Sequence, residues 1–271
     1  MKCPSKFTWE FGRDLIQHLD PDADVSIINE KWCWEDFSEN FLYLKNKVEK
    51  FFEEAKEGDP AYAAYHMVKY CYFDKEWAEK VIEEAQTGDP AYAAYYMVEY
   101  CKSDRKWAEK IIEEAQIGDD PAHIAYLMAT FCGSNRKWAE KTIEEAQTGD
   151  PALAAYYIVD NCNSDKKWAE KVIEKAQIGD SAHVAYLMCK YCKSDQQWAE
   201  KVIEQAQIGD PVYAAYLMAR YCKSDQQWAE KVIEQAQIGD PVYAAYLMAR
   251  YCESDREWAE KIKNKGEGKK L

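Results

Sequence analysis

The chain has 271 residues, 48% of them apolar, and its 49 acidic and 35 basic side chains give a formal net charge of −14. So acidic a chain disfavours general affinity for nucleic acid or anionic membrane, because both rest on basic surface. It has no apolar run near the roughly 18 residues of a bilayer-spanning helix, and Met1-Lys2-Cys3-Pro4-Ser5-Lys6 lacks the apolar core of a secretory signal, so a soluble cytoplasmic protein is expected.

In chain order, residues 1–58 come first as a helical cap rich in Phe7, Trp9, Phe11, Trp32, Trp34, Phe37 and Phe41. The pattern predicts two helices, about 6–19 and 34–57, around the turn-rich Asp20-Pro21-Asp22-Ala23-Asp24. The second ends in Phe51-Phe52-Glu53-Glu54-Ala55, in register with Ile111-Ile112-Glu113-Glu114-Ala115 further on, and so reads as the second helix of an incomplete first unit.

Residues 59–264 form an array. Trp77, Trp107, Trp138, Trp168, Trp198, Trp228 and Trp258 fall 30 residues apart with one spacing of 31. Cys71, Cys101, Cys132, Cys162, Cys192, Cys222 and Cys252 keep step six residues ahead of them. A period of this size marks supersecondary units that bury their apolar faces by stacking. Within one unit, Asp89 before Pro90 starts helix A, whose expected span is Pro90 to about Lys102. Ser103-Asp104 turns the chain and caps helix B, expected from Arg105 to about Gln116, with Gly118 as its left-handed stop. The same grammar recurs at Asp59-Pro60, Asp120-Pro121, Asp150-Pro151, Asp210-Pro211 and Asp240-Pro241, with Ser181 once replacing proline and Asp119 as the single insertion.

Helical periodicity assigns Ala94, Met97, Val98 and Cys101 of helix A and Ala108, Ile111, Ile112 and Ala115 of helix B to the core, with Trp107 at its edge. Glu109, Lys110 and Glu113 form a solvated outer face. The fold class is therefore all-α: a right-handed α-solenoid of about seven 30-residue helix-turn-helix repeats behind an N-terminal helical cap. Lys263, at a position where earlier repeats hold isoleucine, suits a terminal helix, and a disordered tail is expected over 265–271.

The junction Glu83-Glu84-Ala85-Gln86-Thr87-Gly88-Asp89-Pro90-Ala91, with Ala94-Tyr95 and Tyr100 following, resembles that of the tetratricopeptide-related Sel-like repeats, and the likeness runs over residues 46–264. Sel-like repeats carry a longer, glycine-containing loop between their helices, where this chain has the tight Lys102-Ser103-Asp104; that brings it close to HEAT-like repeats of the phycobilisome-lyase type. Both resemblances imply a scaffold that binds macromolecules, and neither implies a catalytic residue. The Sel-like resemblance further implies that helix A lines a concave groove.

Opposite the core face, helix A carries positions that vary from unit to unit. The first holds Tyr62, Tyr92, His123, Leu153, His183, Tyr213 and Tyr243; four residues on come His66, Tyr96, Leu127, Tyr157, Leu187, Leu217 and Leu247. Three further on stand Lys69, Glu99, Thr130, Asp160, Lys190, Arg220 and Arg250, the last three a short basic ladder suited to an acidic peptide or a phosphate. This spacing places all three rows on one side of the helix. The expected partner-binding residues are Tyr62, His66, Tyr92, Tyr96, His123, Leu127, Tyr157, His183, Lys190, Tyr213, Arg220, Tyr243 and Arg250. In a tightly curved array the same side chains would instead pack between neighbouring A helices. Tyr65, Tyr95, Tyr126, Tyr156, Tyr186, Tyr216 and Tyr246 read as structural.

No phosphate-cradling glycine loop, nucleophile elbow or H-E-x-x-H is present, and the four histidines lack partners at metal-ligand spacing. Cys189 and Cys192 spell C-x-x-C inside a helix, where buried thiols are the simpler reading. Neither an enzyme, a metal nor a cofactor is expected. The function expected is a protein- or peptide-binding scaffold. The alternatives are an acidic decoy for a nucleic-acid-binding protein, and self-association, since residues 191–220 and 221–250 are identical.

Overall fold

A computed structural model gives the fold and describes residues 9–26, 28, 40–55, 57–114 and 120–267. Among the described residues the chain is α-helical without strands, in successive packed hairpins, and the expected α-solenoid class is correct. The helices group into two compact units, residues 1–134 and 135–271.

The first unit opens with α1 (Trp9–Leu19), a 3-10 turn (Leu42–Leu44) and α2 (Lys45–Glu53). The single helix expected over 34–57 is thus, in its described part, a turn followed by a short helix, and Phe7, Trp32, Trp34 and Phe37 lie outside the described residues. Leu15, Ile16, Phe41, Leu44, Val48 and Phe52 bury one core together with Met67 and Cys71 of the first repeat. Tyr43 Oη donates to Asp20 at 2.7 Å and Lys47 Nζ to the Leu19 carbonyl at 2.8 Å, tying the segments together at the surface. The repeats of this unit are α3 (Pro60–Cys71), α4 (Lys75–Glu84), α5 (Pro90–Cys101), α6 (Arg105–Glu114) and α7 (Pro121–Phe131). As expected of a B helix, α2 packs on α3 and α4.

The second unit holds α8 (Arg136–Glu145), α9 (Pro151–Cys162), α10 (Lys166–Lys175), α11 (Ser181–Cys192), α12 (Gln196–Gln205), α13 (Pro211–Tyr221), α14 (Gln226–Gln235), α15 (Pro241–Tyr251) and α16 (Arg256–Glu267). Lys265, Gly266 and Glu267 extend the last helix rather than beginning a disordered tail, and 268–271 lie outside the described residues.

Aspartates start both helices of a hairpin. Asp89 accepts the Tyr92 N–H at 3.0 Å and Asp104 accepts the Trp107 N–H at 3.0 Å, each satisfying a donor the helix leaves free. The expected stop at Gly118 lies outside the described residues, as do Ala115 and Gln116; in the equivalent units the glycine is left-handed but stands beyond the helix end. Helix B ends on an extended alanine, Ala85 or Ala176, and the glycine sits three residues later, inside the inter-repeat turn. Helix A is the one with a left-handed end, at Tyr72, Lys102, Gly133, Asn163, Lys193, Lys223 and Glu253. The next residue reaches back to close the turn: Ser103 N–H donates to the Met97 carbonyl at 3.0 Å and Ser194 N–H to Met188 at 3.1 Å.

Within each unit an interior A helix, such as α5, α11 or α13, packs on its own B, on the preceding B and on both neighbouring A helices. Between consecutive B helices of the repeats no comparable pairing occurs among the described residues, so the A layer is the tighter one. This explains why burial on helix A spreads beyond one face. Ala91, Ala93, Ala94, Tyr95 and Met97 are buried, while Val98 and Cys101, expected in the core, are half-buried. Four alternate neighbours leave room only for alanine at most of those positions. Helix B contacts fewer elements and keeps a simple inner face, Ala108, Ile111 and Ile112.

The tryptophans are half-buried and fill the seam between B helices rather than the interior. Five of their indole N–H groups donate to the glutamate 24 residues earlier: Trp107 to Glu83, Trp168 to Glu144, Trp198 to Glu174, Trp228 to Glu204 and Trp258 to Glu234, at 2.5–2.9 Å. One edge of the outer face is therefore an inter-repeat clasp. A second clasp joins the first residue of helix B to the next left-handed carbonyl: Arg136 to Asn163 and Lys166 to Lys193, both at 2.8 Å.

Candidate partner-binding face

The expected binding residues behave differently in the two units. In the first, Tyr62, His66, Tyr92, Tyr96, His123 and Leu127 are all half-buried. Tyr62 stands edge-on to His66 at 4.4 Å, His66 stacks on Tyr70 at 5.4 Å, and Tyr65 stacks on Tyr96 of the next repeat at 5.2 Å. Tyr92 approaches Tyr96 and, across the following junction, His123. Burial, with the Lys69 charge nearby, pushes the His66 imidazole down to about 4, so it is neutral at physiological pH. Here the row is mainly inter-helix packing, with Lys69 Nζ seated 4.0 Å from the Tyr100 centroid.

In the second unit the row opens out. Tyr157 and His183 are half-buried, but Tyr213 and Tyr243 are 37% and 53% exposed. Leu217 and Leu247, members of the expected exposed row, are buried instead. Lys190 is half-buried, and Arg220 and Arg250 are exposed. Lys190 Nζ donates to Tyr186 Oη at 2.9 Å, and Arg250 donates to Tyr246 Oη. Hydrogen bonds to tyrosine hydroxyls raise the pKa values of Lys190, Arg220 and Arg250, which keeps all three charged.

The tyrosines read as structural divide as well. Tyr65, Tyr95, Tyr156, Tyr186 and Tyr216 are buried, Tyr126 is half-buried, and Tyr246, which no further hairpin covers, is 50% exposed.

One set of residues escaped the sequence reading. Immediately after the charged position of helix A stand Tyr70, Tyr100, Phe131, Asn161, Tyr191, Tyr221 and Tyr251. Of these, Tyr191, Tyr221 and Tyr251 are 54%, 48% and 44% exposed and lie beside the basic ladder. The available signal was an aromatic at the last turn of nearly every A helix, one residue out of phase with the core pattern.

Among the described residues no three His, Cys, Asp or Glu side chains gather within metal-binding range, and no helix is long and apolar enough to cross a membrane. Cys189 and Cys192 are both free thiols, and the Cys189 thiol hydrogen-bonds that of Cys222 in the following repeat. The described fold is that of an α-solenoid repeat protein. No protein-family model, curated protein or solved structure matches the chain.

Proposed function

We propose that this chain is a non-enzymatic scaffold that binds a protein or peptide along the A-helix face, chiefly in the second unit. The observation that carries the reading is the exposure of Tyr213 and Tyr243 on the same helices as Arg220 and Arg250. Exposed tyrosine and arginine side by side are the residue types that dominate protein-binding energetics. The resemblance to Sel-like repeats supports the same reading, since arrays of that kind present helix A to their partners. The outer B face is the weaker alternative, because its tryptophan N–H groups and their glutamates already satisfy one another.

The test is affinity purification with mass spectrometry, comparing the wild-type chain with Tyr213→Ala/Tyr243→Ala. The proposal expects a specific partner that the double variant loses while its helical content and Tm stay unchanged. Retention of every partner by the folded double variant would contradict it.

A further inference from the structure

The helices α11, α13 and α15 each contain one formally charged residue, and each time it is basic: Lys190, Arg220 and Arg250. In a chain of net charge −14 this is a concentrated exception. The row is bounded before Lys190 by Asp160, its acidic counterpart on α9. Among the described residues none of the three cations takes part in an ion pair.

Aromatic rings hold these charges in line. Lys190 Nζ lies 4.9 Å from the Tyr191 centroid and 4.3 Å from Tyr221 on the next helix. The Arg220 guanidinium lies 5.3 Å from Tyr221 and 4.2 Å from Tyr251, again bridging to the next helix, and Arg250 lies 5.2 Å from Tyr251. The rings fix the positions of the cations by their quadrupoles without neutralising them. What results is an alternating line of tyrosine and cation, half-exposed, with one positive charge per repeat.

Resting on the function proposed above, we infer that this line binds an acidic peptide in the polyproline II conformation, with a carboxylate at every third residue. Packed helices lie roughly 8–10 Å apart. A polyproline II chain rises about 3.1 Å per residue, so three residues cover about 9 Å. With three residues per turn it sets positions i, i+3 and i+6 on one side. Carboxylates at that period meet Lys190, Arg220 and Arg250 in register, while intervening prolines lie against the tyrosine rings, as such segments do in aromatic-lined grooves. A β-strand fits less well, since its i and i+3 side chains point to opposite faces. A nucleic acid carries charge on every residue, more than one cation per repeat matches. The period of the charge therefore favours the peptide.

The experiment is fluorescence anisotropy with the full chain and labelled peptides of four Glu-Pro-Pro triplets, four Lys-Pro-Pro triplets, or the same number of glutamates spaced every fourth residue. A twelve-nucleotide oligo-dT serves as competitor. The expected result is binding of the Glu-Pro-Pro peptide at least about tenfold tighter than either other peptide, weakening with salt. Arg220→Glu/Arg250→Glu, whose side chains are exposed, is expected to lose at least about tenfold while melting as the wild type does. Equal binding of the lysine peptide, indifference to the double charge reversal, or tighter binding of oligo-dT at the same residues would overturn the inference. If no acidic peptide binds but the partner lost with Tyr213→Ala/Tyr243→Ala is still captured, the peptide class is wrong and the binding face stands. Loss of both results removes both.

Discussion

A Cβ placed on Gly209 would lie 2.1 Å from Oδ1 of Asp180, one repeat earlier. The approach is this close because Asp180 serves two repeats at once. It accepts the His183 N–H of its own helix at 3.0 Å and the Asp210 N–H of the next at 3.4 Å. Gly209 is thus held by space as well as by its φ of +82°. Gly209→Ala is expected to destabilise by at least about 2 kcal/mol, combining the left-handed penalty with a disturbed cap. Urea denaturation measures it, and a change within about 0.5 kcal/mol, the range of an ordinary surface substitution, would contradict the two-repeat role.

Asp89 sits in the same row, with Asp59 and Asp120 on either side. Burial, and then the charges of those two aspartates, raise its carboxyl to about 6 against the lowering effect of the Tyr92 N–H. A carboxyl with its pKa raised by folding takes up its proton first in the folded state. Its contribution therefore favours folding below the unfolded value of 3.8 and is lost as pH rises through about 6. Asn at this position can still accept the backbone N–H but carries no charge. Asp89→Asn is expected to be more stable than wild type at neutral pH, with the advantage shrinking toward pH 4. Denaturation midpoints over that range check the sign, and an advantage that grows on acidification would refute it.

Lys223 has a φ of +58°, a conformation that costs an L-residue about 1 kcal/mol or more relative to glycine. Its neighbour Ser224 closes the turn through its N–H to Met218, a backbone bond that substitution leaves intact. Lys223→Gly is expected to raise stability by about 0.5–1 kcal/mol. A fall in Tm would mean that the lysine side chain contributes something its exposed position does not suggest.

The Cys189 and Cys222 thiols face each other across two A helices, and burial, followed by the effect of Cys222, pushes Cys189 up to about 12. The thiolate is the reactive form. In the folded protein at pH 8, Cys189 is therefore expected to alkylate far more slowly than a small free thiol, and at the ordinary rate once urea unfolds the chain. Peptide mapping after timed iodoacetamide treatment reads this directly. Rapid labelling of Cys189 in the folded state would contradict the contact.

The period and the Asp-Pro starts made the hairpins legible in sequence, because a cap acts on the few residues around it. The stop signals were half right: Gly88 is left-handed, yet helix B finishes at Glu84, before it, and helix A carries a left-handed end of its own at Lys102. That end closes locally, by the Ser103 N–H returning to the Met97 carbonyl of the same repeat. The binding face was half legible. Spacing put Tyr213 and Arg220 on one side of a helix, but the burial of Leu217 and Leu247 depends on how the packed elements close around them, which no single repeat encodes. Tyr191, Tyr221 and Tyr251 were missed because they lie one residue outside the row that periodicity picked.

The most direct measurement is site-specific photo-crosslinking to the captured partner, with the reactive side chain placed at Tyr213 or Tyr243 on the A face, or at the exposed Lys201 or Lys231 on the B face. Adducts from positions 213 and 243 and none from 201 and 231 are predicted. The reverse pattern would contradict the account.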